Sequence, residues 1–196
     1  MFPLNVPNLL TVVRIMLVPV LVVALLGNTP DGDVFAAIVF AAASITDFAD
    51  GYIARSSGAV TTFGKLMDPI ADKLLIIAAL VALVSLDRLA AWVAMVIIAR
   101  EFAVTVLRVG ATQSGVVVAA SPLGKLKTCV QIAAILALIA VRGNPGWVTL
   151  LVYVAVAVTV LSGLDFCFGL RRQLRVAAAA AAAAEDVAVG PHQAGA

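Results

Sequence analysis

The sequence predicts an all-α integral membrane protein with six transmembrane helices, and three observations predict it. Of its 196 residues, 63% are hydrophobic and only 12% are charged, whereas a soluble domain averages about half apolar and a quarter charged. The mean hydropathy is +1.13, and apolar runs of the roughly 20 residues needed to cross a bilayer recur between short polar turns. The basic residues gather at one side of those runs. Composition also narrows the chemistry. The one histidine, His192, lies in the polar tail, so histidine-based catalysis and zinc sites of the His type are not expected. Cys129 and Cys167 lie in apolar runs without ligand spacing and read as small buried hydrophobes, not as a disulfide. The net charge of +2 says little, and no nucleic-acid partner is expected.

Residues 1–11 (MFPLNVPNLLT) carry no charged side chain. They predict an interfacial segment and no signal peptide, because no positive region precedes the apolar run and no small-residue cleavage site follows it. Asn8 is placed to cap the helix that follows. The first span continues to about Leu26, with Arg14 either snorkelling or facing the interior and Pro19 able to kink it. Residues 27–33 (GNTPDGD) form a turn. The second span covers about 34–55, residues 56–63 are a loop, and the third span opens at Gly64 and runs to about 86. Asp87 and Arg88 make a short turn into a fourth span over about 89–109, which carries Arg100, Glu101 and Arg108. After a small-residue loop at 110–122, the fifth span covers about 123–141 with Lys125 and Lys127 in its first turns. Residues 142–146 (RGNPG) turn into the sixth span, about 147–170. Residues 1–172 thus read as one six-helix membrane catalytic domain. Residues 173–196 read as an alanine-rich cytosolic tail, partly disordered, although alanine has the best propensity to extend a helix.

Orientation follows from the charges. With the amino terminus in the cytoplasm, Arg55, Lys65, Arg108, Lys125, Lys127, Arg171, Arg172 and Arg175 fall inside, and Arg88 and Arg142 alone fall outside. This positive-inside bias predicts both termini in the cytoplasm. Trp92 and Trp147 then lie near the outer interface as belt anchors.

Residues 46–73 (TDFADGYIARSSGAVTTFGKLMDPIADK) hold four aspartates in this apolar setting. Ionisable groups inside membrane segments are by default functional. Asp47 and Asp50 are three apart, and Asp68 and Asp72 four apart, so on helices each pair shares a face. Converging carboxylates repel unless something neutralises them, and hard oxygen ligands suit divalent metal ions. Helix rise places these residues at most roughly 12 Å from the cytoplasmic ends of their spans. A site there is open to a lipid from the bilayer and to a charged solute from the cytosol. Two other readings remain at this point: the aspartates pair with Arg55, Lys65 and Lys73, or they line the path of a divalent-cation transporter.

The residues also fit the pattern D-x-x-D-G-x-x-A-R-x8-G-x-x-x-D-x-x-x-D through Asp47, Asp50, Gly51, Ala54, Arg55, Gly64, Asp68 and Asp72. This resembles the signature of the CDP-alcohol phosphotransferase family, integral membrane enzymes of phospholipid synthesis. The resemblance implies a six-helix core, a homodimer, and two divalent ions, Mg2+ or Mn2+, held by Asp47, Asp50, Asp68 and Asp72. It implies a CDP group against Asp50, Gly51, Ala54, Arg55 and Gly64, with Asn8 reaching the diphosphate, and Asp72 as the base for the acceptor hydroxyl. The small residues let a backbone approach a nucleotide, and Arg55 offers a forked donor to a diphosphate.

NVPNLLTVVR at 5–14, DPIADKLL at 68–75, IAREFAVTVLR at 98–108 and GKLKT at 124–128 resemble the bacterial phosphatidylglycerophosphate synthase branch of that family. This implies CDP-diacylglycerol and glycerol 3-phosphate as substrates and the bacterial cytoplasmic membrane as location, with the site facing the cytoplasm. Arg100, Arg108, Lys125 and Lys127 would collect the acceptor phosphate. Other acceptors would make a cardiolipin or phosphatidylinositol phosphate synthase. Read blandly, Arg108 and the lysines are positive-inside anchors, and Arg100 pairs with Glu101, although helix neighbours point about 100° apart.

Overall fold

The computed structural model of the chain has six α-helices among its described residues. The structure describes the backbone of residues 6–57, 62–113 and 121–189, and the side chains of residues 11–46, 73–113, 121–177 and 179. The helices are α1 (Val6–Leu26), α2 (Pro30–Ser57), α3 (Thr62–Ser85), α4 (Ala91–Gln113), α5 (Pro122–Ala140) and α6 (Gly146–Val189). α1 packs against α2 and α3, α5 against α6, α2 and α3, and α4 against α3 and α6.

The buried positions follow helical spacing. Ala36, Val39, Phe40 and Ala43 bury one stripe of α2, and Leu75, Ala79, Leu80 and Leu83 one of α3. Ile135, Leu138 and Ile139 do so on α5, in one core cluster with Leu21 and Leu25 of α1 and Val148 of α6. Alanine at many of these positions lets helix backbones approach closely, which is how helices associate when their outer faces are also apolar. Those outer faces are apolar: Met16, Val23, Ile38, Ile45, Val81, Met95, Val106, Leu150 and Leu161 are exposed. An apolar exterior of this extent suits hydrocarbon better than water. Cys129 belongs to that exterior, since it is exposed. The expectation of a buried thiol fails because an apolar run in a membrane helix does not distinguish inside from outside.

By length and composition, two helical stretches among the described residues can cross a membrane, Pro122–Ala140 and Gly146–Ala177. The expectation was six. α1 and α3 contribute shorter apolar stretches, Thr11–Leu26 and Lys73–Ser85, while α4 carries Arg100, Glu101 and Arg108 along its length. The stretches in α1 and α3 begin where the described side chains begin, whereas in α4 the charges themselves interrupt the apolar run.

Local signals explain the ends. Thr29 precedes α2 and its Oγ1 accepts from Gly32 N at 3.1 Å, an N-cap bond. Gly32 admits no side chain, since a Cβ would lie 2.8 Å from Ala24 O. Ser121 caps α5 by accepting from Gly124 N at 3.2 Å, with Pro122 opening the helix. α3 closes with Arg88 N donating to Leu83 O and Asp87 N to Val84 O, a Schellman pattern with Asp87 at φ 56. Asn28 (φ 47) and Asn144 (φ 44) serve the other two turns at that end; Asn and Asp tolerate the left-handed region better than most residues.

Two differences from expectation concern helix extent. α1 is helical from Val6 and continues through Pro19, so Asn8 lies within its first turn instead of at its cap. α6 does not stop near 170 but runs 44 residues, through the alanine run. Alanine's propensity carries the helix past the bundle.

Candidate active site

The two aspartate pairs flank the connection between α2 and α3. Asp47 and Asp50 lie in the last turns of α2 with Gly51, Ala54 and Arg55; Asp68 and Asp72 follow Gly64 in α3. The helical backbone there gives each pair the shared face that the spacing predicts. The side chains of these residues, and that of Asn8, lie outside the described residues. Among the described residues no group of three or more His, Cys, Asp or Glu could hold a metal. The donor set on α2 and α3, four carboxylates, has the hard-oxygen chemistry that fits Mg2+ or Mn2+.

Beside this stretch the described side chains form a cleft. It is lined by Ser44 of α2, Lys73 and Leu75 of α3, Ile97 and Glu101 of α4, and Lys127, Thr128 and Gln131 of α5. Ser44 stands three residues before Asp47, and Lys73 follows Asp72 directly. Glu101 organises the charges. Its Oε1 pairs with Lys127 Nζ and lies 3.3 Å from Arg100 Nη1. All three side chains are at most 15% exposed, so the ion pairs are shielded from water and the loss of Glu101 would leave two shielded cations without their counter-charge.

Arg100 and Glu101 thus meet, as in the bland reading of Arg100, although they are helix neighbours. The long guanidinium reaches round the helix, held from the far side by Ser162 Oγ of α6, which accepts from Arg100 Nη2 at 2.6 Å. Gly163 makes room: a Cβ there would lie 3.3 Å from Arg100 Cγ. Glu101 was missed as a site residue, although the rule applied to the aspartates, that an intramembrane carboxylate is functional until shown otherwise, applies to it equally.

The four cations expected to gather an acceptor phosphate are divided. Lys127 lines the cleft and Arg100 joins it through Glu101. Arg108 is exposed and lies 5.3 Å over the Phe166 ring of α6, a cation–π contact. Lys125 is exposed on the first turn of α5. Arg14 is buried at 1% exposure, which decides for the interior over snorkelling.

A second charged cluster lies at the opposite end. Asp33, 3% exposed, accepts at Oδ2 from Arg88 Nη2 (2.9 Å) and Arg142 Nε (2.6 Å). Arg88 also donates to Asn28 Oδ1 at 2.8 Å and Ile139 O at 3.3 Å, and Asn144 Nδ2 donates to Arg88 O at 2.9 Å. Burial pushes the Asp33 carboxyl up, but the hydrogen bonds and charges of Arg88 and Arg142 outweigh it and hold the carboxyl below its ordinary value. Arg88 and Arg142, read from sequence only as outside charges, tie three turns together. Nearby, Trp92 stacks on Tyr153 with centroids 6.1 Å apart.

Comparison with known proteins adds the family. A family model described as CDP-alcohol phosphatidyltransferase matches residues 4–161. The chain is 43% identical to the CDP-diacylglycerol–glycerol-3-phosphate 3-phosphatidyltransferase of Bacillus subtilis, over 83% of this chain and 93% of that protein. It is 43% identical to a probable phosphatidylglycerophosphate synthase of Mycobacterium tuberculosis, over 83% of this chain and 79% of the other. The corresponding transferase of Pseudomonas fluorescens is 34% identical over 89% and 90% of the two chains.

Proposed function

The chain belongs to the CDP-alcohol phosphatidyltransferase family, and from that premise we propose that it transfers the phosphatidyl group of CDP-diacylglycerol to sn-glycerol 3-phosphate in phospholipid synthesis, releasing CMP. The observation that carries this reading is the 43% identity to a relative named for that reaction, nearly end to end in the relative. The aspartate signature lies inside the residues matched by the family model.

In this reading Asp47, Asp50, Asp68 and Asp72 hold two divalent ions, which supply charge neutralisation for the diphosphate. Gly51, Ala54, Arg55 and Gly64 receive the CDP group, with Asn8 on its diphosphate. The primary hydroxyl of the acceptor attacks the lipid-side phosphorus in line. Its proton passes to Asp72, the new P–O bond forms, and the bond to CMP breaks. Lys127, with Arg100 behind it, attracts the acceptor phosphate into the cleft, and Arg108 and Lys125 steer anions towards its mouth. Six spans place both termini and this site on the cytoplasmic side of the bacterial cell membrane, and the working unit is a homodimer. Residues 1–172 form the catalytic domain and residues 173–196 an appended tail; the family match ends at residue 161. Family membership leaves the divalent-cation transporter alternative without support.

The test uses detergent-purified protein with CDP-diacylglycerol, Mg2+ or Mn2+, and glycerol 3-phosphate. CMP and phosphatidylglycerophosphate should appear together, and Asp68→Asn should cut the rate at least about 100-fold. Faster turnover with inositol phosphate or phosphatidylglycerol would instead assign one of the sister activities. No CMP with any acceptor, or full activity in Asp68→Asn, would sink the reading.

A further inference from the structure

Gln131 lies one helical turn beyond Lys127 on α5 and lines the same cleft. It is 3% exposed, and its Oε1 has no hydrogen-bond partner among the described residues. Buried side-chain acceptors are rarely left this way without a use. Positions four apart share a helix face about 6 Å apart along the axis, so Lys127 and Gln131 present a cation and a neutral acceptor in succession along one wall. The cleft hydroxyls are otherwise engaged: Ser44 Oγ donates to Phe40 O at 2.8 Å and Thr128 Oγ1 to Gly124 O at 3.2 Å.

We infer that Gln131 is a specificity-determining residue whose Oε1 accepts a hydrogen bond from the secondary hydroxyl of a polyol phosphate seated with its phosphate towards Lys127. This rests on the acceptor reading above and deepens it. An acceptor lacking that hydroxyl leaves the buried amide oxygen unpaired, and sites built to pair a hydroxyl discriminate against analogues without it.

The experiment compares kcat/KM for sn-glycerol 3-phosphate and for 3-hydroxypropyl phosphate, the same compound without the secondary hydroxyl, using full-length protein with CDP-diacylglycerol and Mn2+. The wild type should prefer the hydroxylated acceptor by about 10- to 100-fold. Gln131→Met, similar in shape but without the amide oxygen, should bring that ratio close to one by lowering use of glycerol 3-phosphate alone. Gln131→Glu, which keeps an acceptor oxygen at the same reach, should retain the preference even where total turnover falls. A ratio does not depend on how much of a variant folds. Gln131→Met that keeps the wild-type ratio, or that is inactive with both acceptors, overturns the inference. A wild type that uses both equally overturns it too, with the function intact. A wild type that uses neither overturns the acceptor reading beneath it.

Discussion

At one end the bundle sets Asp33 between two guanidiniums, and towards the other it sets Glu101 between an ammonium and a guanidinium. Each cluster sets one carboxylate against two cations, yet their surroundings differ. Arg88 spends its remaining donors on Asn28 and on the Ile139 carbonyl, and Asn144 closes over its backbone. The cluster joins the α1–α2, α3–α4 and α5–α6 turns and is committed to the fold. Around Glu101, by contrast, Arg100 Nε and Gln131 Oε1 are buried without partners among the described residues, and Lys127 and Glu101 face a cleft. Hydrogen-bond capacity left open beside an excess positive charge suits an anionic, hydroxylated substrate. Neither buried charge nor one unspent acceptor separates the two clusters, since Asp33 Oδ1 is also buried without a partner among the described residues; the cleft beside Glu101, Lys127 and Gln131 does.

The largest effect that would break this comparison is on stability. Asp33→Asn leaves Arg88 facing the protein without its counter-charge and should lower stability by about 2–4 kcal/mol, the lower part of that range reflecting the half-exposed Arg142. Thermal unfolding in detergent measures it, and the folded fraction should keep the wild-type KM for glycerol 3-phosphate. Lys127→Met should do the reverse. Arg100 still compensates Glu101, so stability should change little, while KM for glycerol 3-phosphate rises about 10-fold or more with the loss of a charge-assisted contact and KM for CDP-diacylglycerol is unchanged. A lowered acceptor affinity in Asp33→Asn, or an unaltered one in Lys127→Met, would erase the distinction.

The same contrast explains what could be read from the sequence. Apolar runs and turn residues located all six helices, because the i, i+3, i+4 stripe and punctuation such as GNTPDGD and RGNPG are local. The aspartate signature gave the family because its spacing is short. The Asp33 cluster was not legible: Asp33 is 55 residues from Arg88 and 109 from Arg142, and no periodicity reports such a pairing. The partners of Glu101 were hidden for the same reason, since Lys127 lies on another helix and Ser162 on a third holds Arg100 in place. Cys129 and Arg14 show a further limit. In a helix apolar all round, sequence does not tell which face meets lipid, so the thiol proved exposed and the guanidinium buried.

The smallest effect is a pH dependence that belongs to the Asp33 cluster alone. The Asp33 carboxyl is held below its ordinary value in the folded protein by Arg88 and Arg142, against the opposing effect of burial. A carboxyl with a lower folded than unfolded pKa binds fewer protons when folded, so its stabilisation is complete above the unfolded value, about 3.9, and is lost as pH falls through the folded one. Other carboxylates titrate in the same range, and the informative quantity is therefore the difference between wild type and Asp33→Asn. That difference in unfolding temperature should be constant from about pH 7 to pH 5 and should shrink below about pH 4. A gap that instead widens as acid is added would mean that Asp33 is protonated more readily in the folded protein than in the unfolded chain, and that the two arginines do not hold its charge.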